Sequence, residues 1–213
     1  YLAEVESFAD PVEAVSYSNI SSAAAGYTAG FAVLGQTVDP YDGYAQLMQE
    51  RLLRPMGMET AVVRVSEARQ NPNYGKSYYL DGDEPVEAEP EDVDGDPLAP
   101  SGTLKANARE MALYISTHLN GGVAPNGNTI VSSSNMQAMY EPFLENYALG
   151  WERKPIEGVS FLMHEGSFDN YLSVIGFSPD EELGFVILTN SADAAERLIE
   201  EGPAVLTELF LDG

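Results

Sequence analysis

No cysteine occurs in the 213 residues, which excludes disulfides, thiolate metal sites and a cysteine nucleophile. Histidine is almost as scarce: His118 and His164 are the only two, a poor basis for zinc, so no metal site is expected. Cations are few. Ten lysines and arginines stand against 34 aspartates and glutamates, a formal net charge of −24, and only Lys76, Lys105 and Lys154 are lysine. Nucleic acid requires the opposite sign, so no nucleic-acid partner is expected. No apolar run reaches the roughly 20 residues of a spanning helix, and the opening YLAEVESFADP is acidic rather than basic-then-apolar. No membrane segment is therefore expected in this chain. An acidic, lysine-poor surface resembles those of proteins adapted to high salt, where counterions screen the self-repulsion. The thermal midpoint is accordingly expected to rise between low and molar salt; a flat or falling midpoint removes the salt-adaptation reading.

What is present organises around Ser160–Asn190, SFLMHEGSFDNYLSVIGFSPDEELGFVILTN. Three short strands are predicted there as a meander: Phe161–His164 ending at Gly166, Tyr171–Phe177, and Leu183–Thr189, with a polar turn at Ser178–Glu182. Upstream, a small-residue helix is predicted over Ala23–Val38, its glycines implying close packing, and an amphipathic helix over Tyr44–Leu53, stopped by Pro55-Met56-Gly57-Met58. Ala61–Val65 reads as extended. The acidic stretch 81–97, rich in turn formers, reads as a solvated loop or lid. Its Asp92-x-Asp94-Gly95-Asp96 run has its glycine fourth where a calcium loop needs it sixth, and Thr103 where that loop needs glutamate. Further helices are predicted over Asn107–Asn120, Ser132–Tyr140 and Leu198–Leu211, and a strand over Tyr147–Trp151. His118 reads as a surface residue near a helix C-terminus.

The segments able to carry chemistry follow one another in a definite order. Tyr17-Ser18-Asn19 comes first, then Arg54-Pro55-Met56-Gly57-Met58-Glu59-Thr60, then Pro100-Ser101-Gly102-Thr103-Leu104. Leu119-Asn120-Gly121-Gly122, Leu149-Gly150-Trp151 and His164-Glu165-Gly166 complete the series. By order and spacing the chain resembles the serine β-lactamase and penicillin-binding-protein superfamily, in the branch of class C β-lactamases, D-Ala-D-Ala carboxypeptidases and related esterases. The resemblance runs from Tyr17 to the C-terminal helix. It implies an α/β (α+β) fold in which an antiparallel sheet is flanked by helices, with a mostly helical region over 17–140 and strands and a final helix over 147–213. It also implies a small-molecule or peptide substrate, no cofactor, and an extracytoplasmic or secreted setting.

Members of that family use an S-x-x-K nucleophile and base, a Y-x-N, and a strand-borne K-T-G or H-x-G. The resemblance implies that Tyr17 helps pass the serine proton to the leaving group, and that Asn19 hydrogen-bonds the lysine and the substrate carbonyl. His164 would stand for the usual strand lysine, supporting Tyr17 or orienting substrate, and the Ser167 N–H just past Gly166 would form half of an oxyanion hole. One element is missing: no serine in these residues has a lysine three positions later. The expectation is that the S-x-x-K segment lies upstream, that this chain is the C-terminal part of one domain and probes as inactive alone, and that the sheet is incomplete, with Leu183–Thr189 at an unpaired edge. The alternative is a catalytically inactive relative serving as a binding or scaffold module, and a third reading is a wall-associated structural domain.

Overall fold

Ser18 opens the helical half. Its hydroxyl accepts the Ser21 amide at 3.2 Å from an extended backbone, which starts α1 at Asn19 and runs it to Leu34. Ser18 is thus the cap, and the helix begins four residues before the expected Ala23. The computed structural model describes residues 10, 13–35, 38–89, 94 and 97–211. The glycines of α1 allow α2 (Pro40–Met48) to cross at close range. A β-carbon on Gly30 would lie 3.2 Å from the Gly43 and Tyr44 backbone, and one on Gly26 would lie 2.4 Å from Pro100. From α2 the chain passes through a π-helical turn, Gln49–Leu53, into α3 (Arg54–Met56), and Gly57 ends the run at φ 85°.

After a short α4 (Val65–Ala68), the acidic stretch differs from expectation. Part of it is an antiparallel hairpin, β1 (Tyr78–Asp81) and β2 (Glu84–Glu87), instead of loop throughout. Tyr78 and Leu80 on one strand and Val86 on the other give it apolar side chains, and the rest of the molecule holds it. Tyr78 N donates to the Asn190 carbonyl at 2.8 Å, Leu80 N to Asp193 at 3.1 Å, and Lys76 pairs with Glu87 at 2.6 Å. Of the run weighed for calcium, Asp94 accepts the Val65 and Ser66 amides and the Tyr41 hydroxyl. The other acidic residues of that run lie outside the described residues. Helix α5 (Ala108–Leu119), capped by Asn107, and α6 (Ser133–Tyr140), capped by Ser132, follow.

Four strands form the main sheet in the order β3-β4-β5-β6: β3 (Glu152–Ile156), β4 (Val159–Phe168), β5 (Tyr171–Ser178) and β6 (Leu183–Thr189). The meander is present, with β4 longer than expected: it passes through Gly166 and turns at Asp169-Asn170, both at positive φ (47° and 62°). Tyr147–Trp151 is not a strand. Gly150 sits at φ 79° and the strand starts at Glu152. Helix α7 (Ala192–Leu211) starts six residues earlier than expected and carries buried Pro203 within it.

Alternation along β4 divides the core. Phe161 and Met163 face α7, where they meet Val174, Phe185, Ile199 and Leu206. Leu162 faces the other way, with Phe177 and Ile115 of α5 and with Trp151. His118 is corrected by this second layer. It is 5 % exposed, boxed by Tyr114, Tyr140, Trp151 and Phe177, not on the surface. Among the described residues no strand pairs with the outer edge of β6, and no helix is long and apolar enough to cross a membrane.

Candidate active site

The site forms where β4 outruns β3. Pairing with β3 stops at Met163 opposite Glu152, while β4 continues to Phe168. His164, the next residue, therefore stands at the rim of the sheet, half-buried. The alternation that sends Leu162 toward the α5 side sends His164 and Gly166 the same way. At Gly166 a β-carbon would lie 2.6 Å from the Ser173 hydroxyl on the paired strand, so that hydroxyl would have to turn away. Phe168 pairs with Tyr171 across the two-residue turn, so hydrogen bonding to β5 falls on even positions of β4. The Ser167 N–H is thereby directed to the open edge beyond β3. Glu165 is exposed and lies 3.6 Å from Lys154.

The extended segment before α1 brings Tyr17 to the same rim. Its ring centre lies 5.9 Å from that of His164, and it is 58 % exposed. Tyr17 and His164 to Ser167 of β4 line a shallow depression of about 300 Å³, together with Leu172 and Ser173 of β5 and Ile199 of α7. Asn19 occupies the first position of α1, exposed and two residues along from Tyr17, outside that depression. Four of the five residues marked from sequence thus come together, and Asn19 lies beside them.

Tyr147 is the residue that the sequence reading passed over. Its hydroxyl lies 3.3 Å from Nε2 of His164, and its ring meets that of Tyr17 edge-on at 6.5 Å. On its other nitrogen, Nδ1 of His164 donates to the Glu165 carbonyl at 2.7 Å. Burial, with help from Tyr17 and Glu152, pushes the Tyr147 phenol above its ordinary pKa. Sequence could have flagged Tyr147 only by its place just before Leu149-Gly150-Trp151. A second depression, of about 330 Å³, lies between α2 and Arg64, but its Arg64 is already paired with Asp42 and Glu67 and it holds no nucleophile beside a base. Among the described residues no cluster of histidines and carboxylates is arranged to hold a metal ion.

Residues 1–208 match the protein family described as Beta-lactamase. The chain is 23% identical over 193 residues to "Penicillin-binding protein 4" of Amycolatopsis lactamdurans, covering 84% of this chain and 50% of that protein. It is 24% identical over 152 residues to "Unguisins hydrolase ungD'" of Aspergillus campestris (strain IBT 28561), covering 68% of this chain and 28% of that one. Among solved structures, a class C beta-lactamase mutant superimposes with a TM-score of 0.73 at 18% identity, over 98% of this chain and 62% of its own. The helix-and-antiparallel-sheet architecture is therefore the β-lactamase/transpeptidase fold. The chain spans half or less of the length of these two sequence relatives.

Proposed function

This chain belongs to the beta-lactamase family, and from that premise we propose that it is the C-terminal part of a serine hydrolase that cleaves an amide or ester bond through an acyl-enzyme. The observation that carries the reading is the meeting of Tyr17 with His164 and Ser167 at the rim where β4 runs on past the end of its pairing with β3. A serine hydroxyl is a weak nucleophile until a neighbouring base takes its proton. In this reading a serine and a lysine one helical turn apart, on a segment upstream, enter the depression beside Tyr17.

The steps follow from what each group can do. The serine oxygen attacks the substrate carbonyl as its proton passes to the lysine, and the carbonyl oxygen takes up negative charge. The Ser167 N–H, aimed at the open edge, supplies one donor to that oxyanion. Tyr17 relays the proton to the leaving nitrogen or oxygen, Asn19 hydrogen-bonds the lysine and the substrate carbonyl, and His164 orients these partners. Water then attacks the ester, the same groups work in reverse, and the serine is regenerated. No cofactor enters. The names of the two relatives, a penicillin-binding protein and a hydrolase of unguisins, support hydrolysis of a small molecule.

One observation favours the alternative, a catalytically inactive binding or scaffold module: none of the 213 residues supplies a serine with a lysine three positions on. Covalent labelling by a serine-directed phosphonate separates the two readings, since only the hydrolase forms an adduct.

A further inference from the structure

We propose that Tyr147 is a positioning residue: its phenol donates to Nε2 of His164 and holds the imidazole, in its Nδ1–H form, beside Tyr17. The catalytic consequence of this rests on the hydrolase reading above; the geometry does not. The Glu165 carbonyl can only accept a hydrogen bond, so Nδ1 of His164, 2.7 Å away, carries the proton. In the neutral ring Nε2 then presents its lone pair, and the Tyr147 hydroxyl at 3.3 Å is the donor that meets it. Burial raises the phenol's pKa, so the donor keeps its proton over the physiological range.

Tyr147 is itself fixed by backbone. Its N–H donates to the Leu144 carbonyl at 3.1 Å, and its carbonyl accepts the Phe143 N–H at 2.9 Å. Arg153 N donates to the Asn146 carbonyl at 2.8 Å, and the Asn146 amide reaches Glu152 at 3.0 Å. These bonds tie the Tyr147 segment to β3, whose Glu152 lies opposite Met163, the residue before His164. The register of two strands therefore sets the phenol against the imidazole. A division of work between two tyrosines follows. Tyr147 engages the histidine through its hydroxyl, whereas Tyr17 meets it through its ring and remains 58 % exposed. With its lone pair occupied, His164 orients and does not serve as the general base, and the Tyr17 hydroxyl is left for substrate and nucleophile.

The test reads the ring nitrogens of His164 by NMR in the full-length protein carrying isotope-labelled histidine, at a pH where imidazoles are neutral. The His164 signals are those lost in His164→Ala. In the wild type the proton is expected on Nδ1, with Nε2 shifted as a hydrogen-bond acceptor; in Tyr147→Phe the Nε2 signal moves to its unbonded position while His118 stays put. A proton on Nε2 in the wild type overturns the proposal without any variant, and so does a His164 spectrum unchanged by Tyr147→Phe in a protein that melts normally. In turnover, Tyr147→Phe is expected to lower kcat by about tenfold with little change in KM; an unaltered kcat in an active enzyme overturns the catalytic role. Should the protein turn nothing over, the hydrolase reading fails, and the spectra still decide whether Tyr147 holds His164.

Discussion

Replacing His164 with alanine is expected, on the hydrolase reading, to lower hydrolysis of a chromogenic short-chain ester by about tenfold or more when the S-x-x-K segment is present, a loss of about 1.4 kcal/mol or greater in transition-state stabilisation. The expectation follows from where the side chain sits. It lies on the rim of β4 in contact with both Tyr17 and Tyr147, and it lines the depression. Alanine removes the ring that Tyr147 and Tyr17 both contact but leaves the backbone of β4, and with it the Ser167 N–H, in register with β5. Loss of an orienting group without loss of an oxyanion donor falls on kcat more than on KM. Because the ring is half-buried where β4 runs past β3, the thermal midpoint should move little. An undiminished rate would take His164 out of the mechanism.

The second large effect concerns stability and the other histidine. Burial among aromatic rings pushes the His118 pKa down to about 4, so the folded protein holds it neutral. An unfolded chain protonates it near pH 6.5. Between those two values the unfolded state binds the extra proton, and stability rises with pH. The contribution is complete above about pH 6.5 and is lost as pH falls toward 4. From pH 7.5 to 5, where most carboxylates remain ionised, the loss amounts to about 2 kcal/mol. Urea unfolding at those two pH values measures it. His118→Phe, which keeps an aromatic ring against Trp151 and Phe177, should flatten that part of the pH dependence. A variant with the same slope as the wild type would show that His118 is not the titrating group.

The two histidines also show what the sequence could and could not reveal. His164 was marked because it stood in a strand beside a glycine within an ordered series of motifs, and those features are local. His118 sits at the end of an amphipathic helix, where a solvent position is the ordinary reading. Its burial depends on Trp151, Tyr140 and Phe177, which come from three separate elements that only the folded chain assembles. The strands β5 and β6 were legible from segments rich in branched and aromatic residues on either side of a polar turn. β3 was not, because Glu152-Arg153-Lys154-Pro155-Ile156 has one hydrophobic residue and becomes a strand through its pairing with β4. The hairpin over 78–87, which reaches into the acidic stretch, was hidden for a related reason: its second strand has one apolar side chain, Val86, and the Tyr78 and Leu80 amides are satisfied by Asn190 and Asp193, more than 100 positions away. Tyr147 belongs to this class, since its contact with His164 spans 17 positions and depends on strand register.

The measurement that bears most directly on the hydrolase account is a denaturing intact-mass spectrum after exposure to a serine-directed phosphonate. It should be recorded on the full-length protein and on residues 1–213 alone. The account predicts a single adduct on the full-length protein, lost when the serine of its S-x-x-K segment is changed to alanine, and no adduct on the 23.0 kDa chain. A full-length protein that stays unlabelled, or an adduct on a serine within residues 1–213, would contradict it.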